Sequence, residues 1–314
     1  MRPGLLGAAV AALINGTTIS IEGPGAPAFE TQLLPALAKG LITLAELQAA
    51  AKRALLPRFL VGLYDPPERV PWNTMPASVI GSPAHHALAR RAAAESFVLL
   101  TNQWETLPLR SVADGGPRTI AVVGLANDTF KSIGRYSGHP AASTSVWDGV
   151  SAAATAGGAR PVLGLGTGAA AIAAAKGADV AVVVLTGEME GESHDRQKLG
   201  LPPNQQALLE ALIATKVPLI VCTISGGAVD IAVAKQGVAA VVAMYSGGME
   251  AGAALADVLF GTVNPSGVLA ATVYKAAWAN ASDFLSMAMR TPLGRTYRYL
   301  TARTSSNSSS ALAY

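Results

Sequence analysis

Four apolar runs dominate what this chain can fold into: Thr119–Val123, Val180–Leu185, Pro218–Thr223 and Ala239–Met244. Each is continuous, without the in-out alternation of a half-exposed strand. Helical patterns lie between them at Ala169–Lys176, Asn204–Thr215, Ala228–Lys235 and Met249–Phe260. A strand with no polar face must be covered on both sides, and strands separated by helices pair in parallel. The expectation is therefore an α/β fold, a mostly parallel sheet sandwiched by helices, over residues 84–300, with right-handed crossovers. Ligands of such sheets sit beyond the carboxyl ends of the strands. That directs the search to the loops after Val123, Leu185, Thr223 and Met244.

The chain before this unit has a different character. Residues 1–66 read as helical, with Leu33, Leu34, Leu37 and Leu41 on one apolar face. Thr43 with Glu46 three residues on forms a capping-box pattern. It opens a helix over Leu44–Phe59, whose Leu47, Ala51, Ala54, Leu55 and Phe59 recur at helical spacing. Pro57 is placed to kink the end of that helix. Residues 67–83 are rich in proline and read as a linker. Ser82 then caps a helix running to about Glu95, with Pro83 at its first position. The Ser/Ala-rich residues 301–314 read as a disordered tail.

Composition removes several function classes. Hydrophobic residues make up 51% of the 314 and charged residues 14%, which excludes global disorder. The 23 basic and 20 acidic residues are interspersed, with no Lys/Arg run of the kind that binds nucleic acid. The single cysteine, Cys222, lies in an apolar run, which excludes a disulfide framework and argues against a thiolate metal site. His85, His86, His139 and His194 have no metal-ligand spacing, so neither metal nor cofactor is expected. Charges interrupt every long apolar stretch, so no membrane span is expected. Met1-Arg2 followed by Leu5–Ile14 has the outline of a short signal peptide, with a buried helix as the competing reading. Asn-x-Ser/Thr sequons begin at Asn15, Asn127, Asn280 and Asn307.

The loop after Leu185 is the most unusual stretch. Residues 186–196 read Thr-Gly-Glu-Met-Glu-Gly-Glu-Ser-His-Asp-Arg, crowding four acids, a histidine and an arginine just past a buried strand. A carboxyl group among other carboxylates is held protonated to higher pH, as a general acid requires. The competing reading is a solvated acidic loop ahead of a helix, with Asp195 and Arg196 as a structural ion pair. Ser225-Gly226-Gly227 and Tyr245-Ser246-Gly247-Gly248 repeat one plan, in which glycines at a strand end precede a helix start with an acid, Asp230 or Glu250. Gly164-Leu165-Gly166-Thr167-Gly168 is only superficially a dinucleotide turn, because Ala169 stands where the third glycine belongs. Ser225, His194 and Asp230 are the residue types of a hydrolase triad, without the G-x-S-x-G elbow.

Taken in order, these segments resemble glycoside hydrolase family three, closest to its β-xylosidase and α-L-arabinofuranosidase branch. The likeness is carried by Glu95–Asn102 through Leu109, Ile120–Gly124, Ile133–Gly138, Glu190–Glu192 with His194–Arg196, and Ser225–Asp230. It continues through Ala256–Gly261, Asn264–Gly267 and Gly294–Tyr299. It extends over residues 8–300 and makes residues 1–66 similar to the last part of a (β/α)8 barrel, which favours a helical barrel remnant over a signal peptide. The family's enzymes are retaining glycosidases, in which a barrel Asp attacks the anomeric carbon and a Glu from the second domain protonates the leaving oxygen. The resemblance implies Glu190 as acid/base, with Glu192 as rival, and Arg135, Tyr136, His194 and Arg196 near the substrate. It implies β-linked xylosides or arabinosides as substrates and an extracellular location. The acids before residue 67, Glu22, Glu30, Glu46 and Asp65, do not stand in the Asp-Trp-type nucleophile motif, and Asp148, which does follow a Trp, belongs to the second unit. The expectation is thus a lobe that is inactive alone, completed by a missing barrel chain, with an apolar patch exposed near residues 1–63. The alternative is a non-catalytic carbohydrate- or partner-binding α/β domain.

Overall fold

The computed structural model describes residues 4–21, 27–188, 191–193, 195–235, 237–283, 285–290 and 294–300. The chain divides into two compact units, Met1–Val79 and Ile80–Tyr314.

The first unit is helical: α1 (Leu5–Ile14), α2 (Ala28–Ala38) and α3 (Leu44–Leu60), followed by short 3-10 turns up to Val79. The Thr43–Glu46 capping box is present: the Thr43 hydroxyl accepts from the Glu46 N–H, and the Glu46 carboxylate accepts from the Thr43 N–H at 2.7 Å. These bonds to Thr43 hold the Glu46 carboxyl below its ordinary range. Pro57 falls in the last turn and α3 runs on to Leu60. A small core of Leu13, Ala36, Ile42 and Ala50 gathers Leu33, Leu37 and Leu47. The single apolar faces read from the sequence are corrected here. Leu34, Leu41, Leu55 and Phe59 are exposed, Leu34 at 69% and Phe59 at 60%, and Leu60 is exposed at 75%. The small core these helices share covers only one stripe of each, and the apolar side chains beside it stay exposed.

The second unit opens with α4 (Pro83–Ser96) and β1 (Val98–Asn102). It continues with β2 (Thr119–Gly124), α5 (Thr129–Ile133), α6 (Val146–Ala156), β3 (Arg160–Leu165), α7 (Ala169–Lys176), β4 (Val180–Thr186) and α8 (Pro203–Ala214). The last elements are β5 (Leu219–Ile224), β6 (Ala240–Ala243), α9 (Ala251–Leu259), α10 (Ala276–Ala281) and α11 (Thr296–Tyr299). The six strands form one sheet in the order β1-β6-β5-β4-β2-β3, parallel except for β1, which pairs antiparallel with β6.

Strand alternation explains why the central runs are apolar throughout. Even-numbered residues such as Ile120, Val122, Val182, Val184, Ile220 and Val242 face a core with α4, α6 and α9. Odd-numbered residues such as Ala121, Val183, Leu185, Val221 and Val241 face a second core with α7 and α8. Neither face meets water, as the continuous patterns required. On the first face α6 and α9 come into backbone contact. A Cβ on Gly149 would overlap the Gly252 carbonyl, and one on Gly252 would overlap the Ser145 carbonyl.

One predicted helix is absent. Ala228–Lys235 forms an extended bridge from Asp230 to Gly200 and then a 3-10 turn over Ala232–Lys235. Asp230 decides this: its N–H donates to the Leu199 carbonyl at 2.7 Å, and its carboxylate accepts from the N–H groups of Ala232 and Ala276. Those tertiary bonds outcompete a local helical ladder. Residues 301–314, read as a tail, lie outside the described residues.

Candidate functional site

The sheet order places a topological switch point between β2 and β4. These two strands are parallel neighbours, yet the chain leaves them in opposite directions. After β2 it proceeds to α6, whose Val146 and Val150 pack on the even-numbered face. After β4 it proceeds to α8, whose Leu208 and Leu212 pack on the other. Diverging connections open a crevice at the carboxyl ends of the strands, the place where sheets of this kind bind ligands. The acidic stretch follows β4, and the segment carrying Arg135 and Tyr136 follows β2 and α5.

The root of the acidic loop is clamped by a residue that the sequence did not single out. The Val184 carbonyl still accepts the Leu125 N–H at 3.0 Å, but two residues on, Thr186 has no strand on its β2 side, because β2 ends at Gly124, and pairs only with β5. Gln205 of α8 takes the place of that strand. Its Oε1 accepts the Thr186 N–H at 2.7 Å, and its Nε2 donates to the Thr186 carbonyl at 3.0 Å and to Oγ1 at 3.2 Å. Both residues are buried. A side-chain amide, carrying one acceptor and two donors, replaces a peptide group here. On the opposite side the Gly187 N–H donates to the Ile224 carbonyl, so the last residues of β4 are held on both sides.

Farther along the loop, the Glu192 N–H donates to the Tyr136 hydroxyl. A Cβ on Gly191 would come within 2.7 Å of Nε of Arg135. The Arg196 guanidinium donates to the Ala228 carbonyl at 2.6 Å, joining the loop to the one after β5. The segment carrying Arg135 and Tyr136 is itself braced: Ser137 Oγ donates to the Gly134 carbonyl, and the Gly248 N–H donates to the Ser132 carbonyl at 2.9 Å. Loops from β2, β4, β5 and β6 thus meet at one end of the sheet. Behind them a cavity of about 20 Å³ is lined by Thr223, Ser225, Tyr245 and apolar neighbours, room for one water. Burial raises the Tyr245 phenol above its ordinary pKa.

The structure brings together three of the six candidate residues, Arg135, Tyr136 and Glu192, while Arg196 binds the Ala228 carbonyl of the loop after β5. Glu190 and His194 lie outside the described residues. The triad reading fails on geometry, since Ser225 Oγ donates to the Gly227 carbonyl at 2.5 Å and both Asp230 oxygens are engaged by backbone N–H groups. Of the glycines of 164–168, Gly164 serves packing, since a Cβ there would come within 2.8 Å of the Ala174 Cβ, and Gly166 takes a φ of 79° with its N–H on the Gly124 carbonyl. Burial pushes the Cys222 thiol up to about 12, which leaves it inert at neutral pH. Among the described residues no three His, Cys, Asp or Glu side chains gather into a metal site, and no helix is long and apolar enough to cross a membrane.

Comparison with known proteins decides what kind of lobe this is. Residues 97–304 match the glycosyl hydrolase family 3 C-terminal domain. The chain belongs to glycosyl hydrolase family 3. A probable exo-1,4-β-xylosidase of Neosartorya fischeri is 34% identical over 309 residues, covering 93% of this chain and 38% of the relative. β-D-xylosidase 1 of Arabidopsis thaliana is 35% identical over 279 residues, covering 84% of this chain and 35% of the relative. Among solved structures, a family 3 exo-β-xylosidase in complex with a xylobiose aziridine probe superposes with a TM-score of 0.82 at 26% identity, covering 99% of this chain and 40% of that one. A β-glucosidase from Erythrobacter marinus superposes with a TM-score of 0.75 at 28% identity. The chain therefore spans less than half the length of the family members it resembles.

Proposed function

We propose that this chain supplies the acid/base lobe of a retaining glycosidase acting on β-linked xylosides or arabinosides. Glu190 is the proton donor and Glu192 its rival. The observation that carries this proposal is the placement of the acidic loop: it leaves the sheet at the topological switch point of a family 3 domain. Two carboxylates are needed for retention, one to attack the anomeric carbon and one to protonate the leaving oxygen and later activate water. Four other carboxylates of the second unit have structural occupations. Asp148 closes the capping box with Ser145, Asp179 accepts from the N–H groups of Arg118 and Thr119, Asp257 is bound by Arg90 and Glu250 by His86. In this proposal the nucleophile comes from elsewhere, and the 314 residues do not hydrolyse a glycoside alone. The exposed apolar residues of the first unit, Leu55, Leu56, Phe59 and Leu60 among them, form the surface on which the remaining barrel packs.

The test is release of nitrophenol from aryl xyloside, arabinofuranoside and glucoside by the purified chain, with Glu190→Gln as control. The expected result is no release above background from either protein. Release above background by the wild-type chain would overturn the incomplete-site proposal, because a carboxylate within the chain would then be acting as nucleophile.

A further inference from the structure

We propose that Trp104 and the pocket beside its turn bind one ring of a neutral oligosaccharide, at the end of the sheet opposite the crevice. The position follows from the strand pairing. Asn102, the last residue of β1, pairs with Ala240, the first of β6, and the Gln103 N–H donates to the Ala239 carbonyl at 2.7 Å. The turn over residues 103–106 therefore stands at the amino ends of the parallel strands, whereas the acidic stretch leaves from a carboxyl end. A ligand on Trp104 is separate from the candidate catalytic site.

The backbone of the turn is the first observation. Trp104 and Glu105 take φ of 54° and 51°, a left-handed region that disfavours residues carrying a Cβ. The turn is held in this conformation from its base. Asn102 donates from Nδ2 to the Leu107 carbonyl at 2.9 Å and accepts the Leu107 N–H on Oδ1 at 3.0 Å. The Thr106 N–H and hydroxyl both donate to the Gln103 carbonyl. What this braced, strained turn presents is an indole 77% exposed, which adds nothing to the core. Strain maintained by its surroundings marks positions where the presented group has a use.

The second observation is the pocket. Its volume is about 180 Å³, and Asn102, Leu107, Pro108, Val263, Asn264 and Pro265 are among its walls. Asn102 and Leu107 are the two residues that the turn connects. The volume suits a single ring and falls below the pockets that take drug-sized ligands. No wall residue carries a charge, so nothing there would hold a phosphate, a carboxylate or a cation. Apolar walls with the exposed amide of Asn264 suit a neutral ligand that is apolar on its faces and polar at its rim. A pyranose with equatorial hydroxyls is such a ring: its C–H face lies on an aromatic face, and its hydroxyls bind amides. Membership of a glycosyl hydrolase family favours a saccharide over other neutral rings. Only the choice of a xylose ring rests on the substrate proposed above.

The test is an NMR titration of the whole ¹⁵N-labelled chain with xylotriose and with cellotriose, read at the indole N–H signals of its four tryptophans, Trp72, Trp104, Trp147 and Trp278. The Trp104 signal is assigned by its disappearance in Trp104→Gly. The expected result is a saturable shift of the Trp104 indole and the Leu107 amide, with a dissociation constant in the millimolar range. Trp104→Gly should weaken binding about tenfold, the upper range of one aromatic contact, and Asn264→Ala about threefold. Because glycine accepts the left-handed backbone, Trp104→Gly should leave the thermal midpoint no lower than in the wild type. A tryptophan with a packing role would lower it, and that result overturns the proposal. So does the absence of a saturable Trp104 shift with both sugars up to about 50 mM, or binding that is undiminished in Trp104→Gly. The titration involves no turnover. A failed glycosidase assay leaves it standing, and an unshifted Trp104 removes this site without touching the reading of the acidic loop.

Discussion

Replacing Gln205 with Leu keeps much of the side-chain volume and deletes every bond to Thr186. The wild-type amide satisfies the N–H and the carbonyl of a residue that is only 2% exposed, and Gln205 itself is 4% exposed, so water cannot take over both bonds. A buried backbone group left unpaired costs roughly 1–3 kcal/mol, partly offset because the apolar replacement no longer has to be desolvated. The expected net loss is about 3 kcal/mol, or roughly 6–12 °C in the thermal midpoint for a unit of this size. Gln205→Glu separates the two bonds. The new carboxylate still accepts the Thr186 N–H but faces the Thr186 carbonyl, and only its protonated form can donate there. Burial and that carbonyl raise the folded-state pKa of the new carboxyl above its unfolded value. Stability is then fullest at low pH and is lost as pH rises through the raised value. Urea unfolding of the three proteins between pH 4 and 8 should show a pH-independent deficit for Gln205→Leu and, for Gln205→Glu, a deficit that shrinks on acidification. A Gln205→Leu deficit below about 0.5 kcal/mol, or the same pH dependence in both variants, would refute the idea that one amide stands in for a missing strand.

Gly252→Ala should destabilise by about 1–3 kcal/mol in thermal denaturation, because the added methyl meets the Ser145 carbonyl where α6 and α9 touch and neither backbone can yield without moving a helix. Arg90→Ala removes both bonds to the Asp257 carboxylate, at 2.5 and 2.6 Å, and should cost about 1–2 kcal/mol, a value tempered by the half-exposed arginine; adding Asp257→Asn should recover part of the loss by neutralising the stranded charge. Cys222 should resist iodoacetamide in the native protein at pH 8 and react promptly in denaturant, since burial holds the thiol at about 12; prompt native labelling would contradict a closed core.

The central strands were legible because both of their faces are covered, and a strand with no exposed face leaves an unbroken apolar run. The two edge strands left weaker marks. β3 contains Pro161 and Gly164, both of which argue against a strand in isolation. Arg160 donates its N–H to Arg118 of the β2 side, so the next residue points outward, and Pro161 sits where no N–H is needed. The helix over Val146–Ala156 does carry a sequence signal, the Ser145-x-x-Asp148 capping box. For the site, the acidic loop and its partners Arg135 and Tyr136 were readable as residue types in order along the chain. Their mutual contact was not, since it joins positions more than 50 residues apart. Gln205 was invisible for a different reason: a glutamine near the start of a helix normally faces water, and only the departure of the chain from β4 after Leu125 leaves a backbone for it to bind.

Joining this chain to the part of the Neosartorya fischeri relative that it does not match tests the assignment of Glu190 most directly. Hydrolysis of aryl xylosides spanning a range of leaving-group acidity would be compared for the hybrid, its Glu190→Gln form and its Glu192→Gln form. A phenol that leaves readily needs no proton, whereas a poor leaving group depends on one, so deletion of the true acid is felt most by the poor leaving groups. The expected result is a loss of about 10²–10⁴-fold for poor leaving groups with Glu190→Gln, shrinking as the leaving group improves, and a small, uniform effect of Glu192→Gln. A Glu190→Gln hybrid that hydrolyses poor and good leaving groups with undiminished rates would contradict the account.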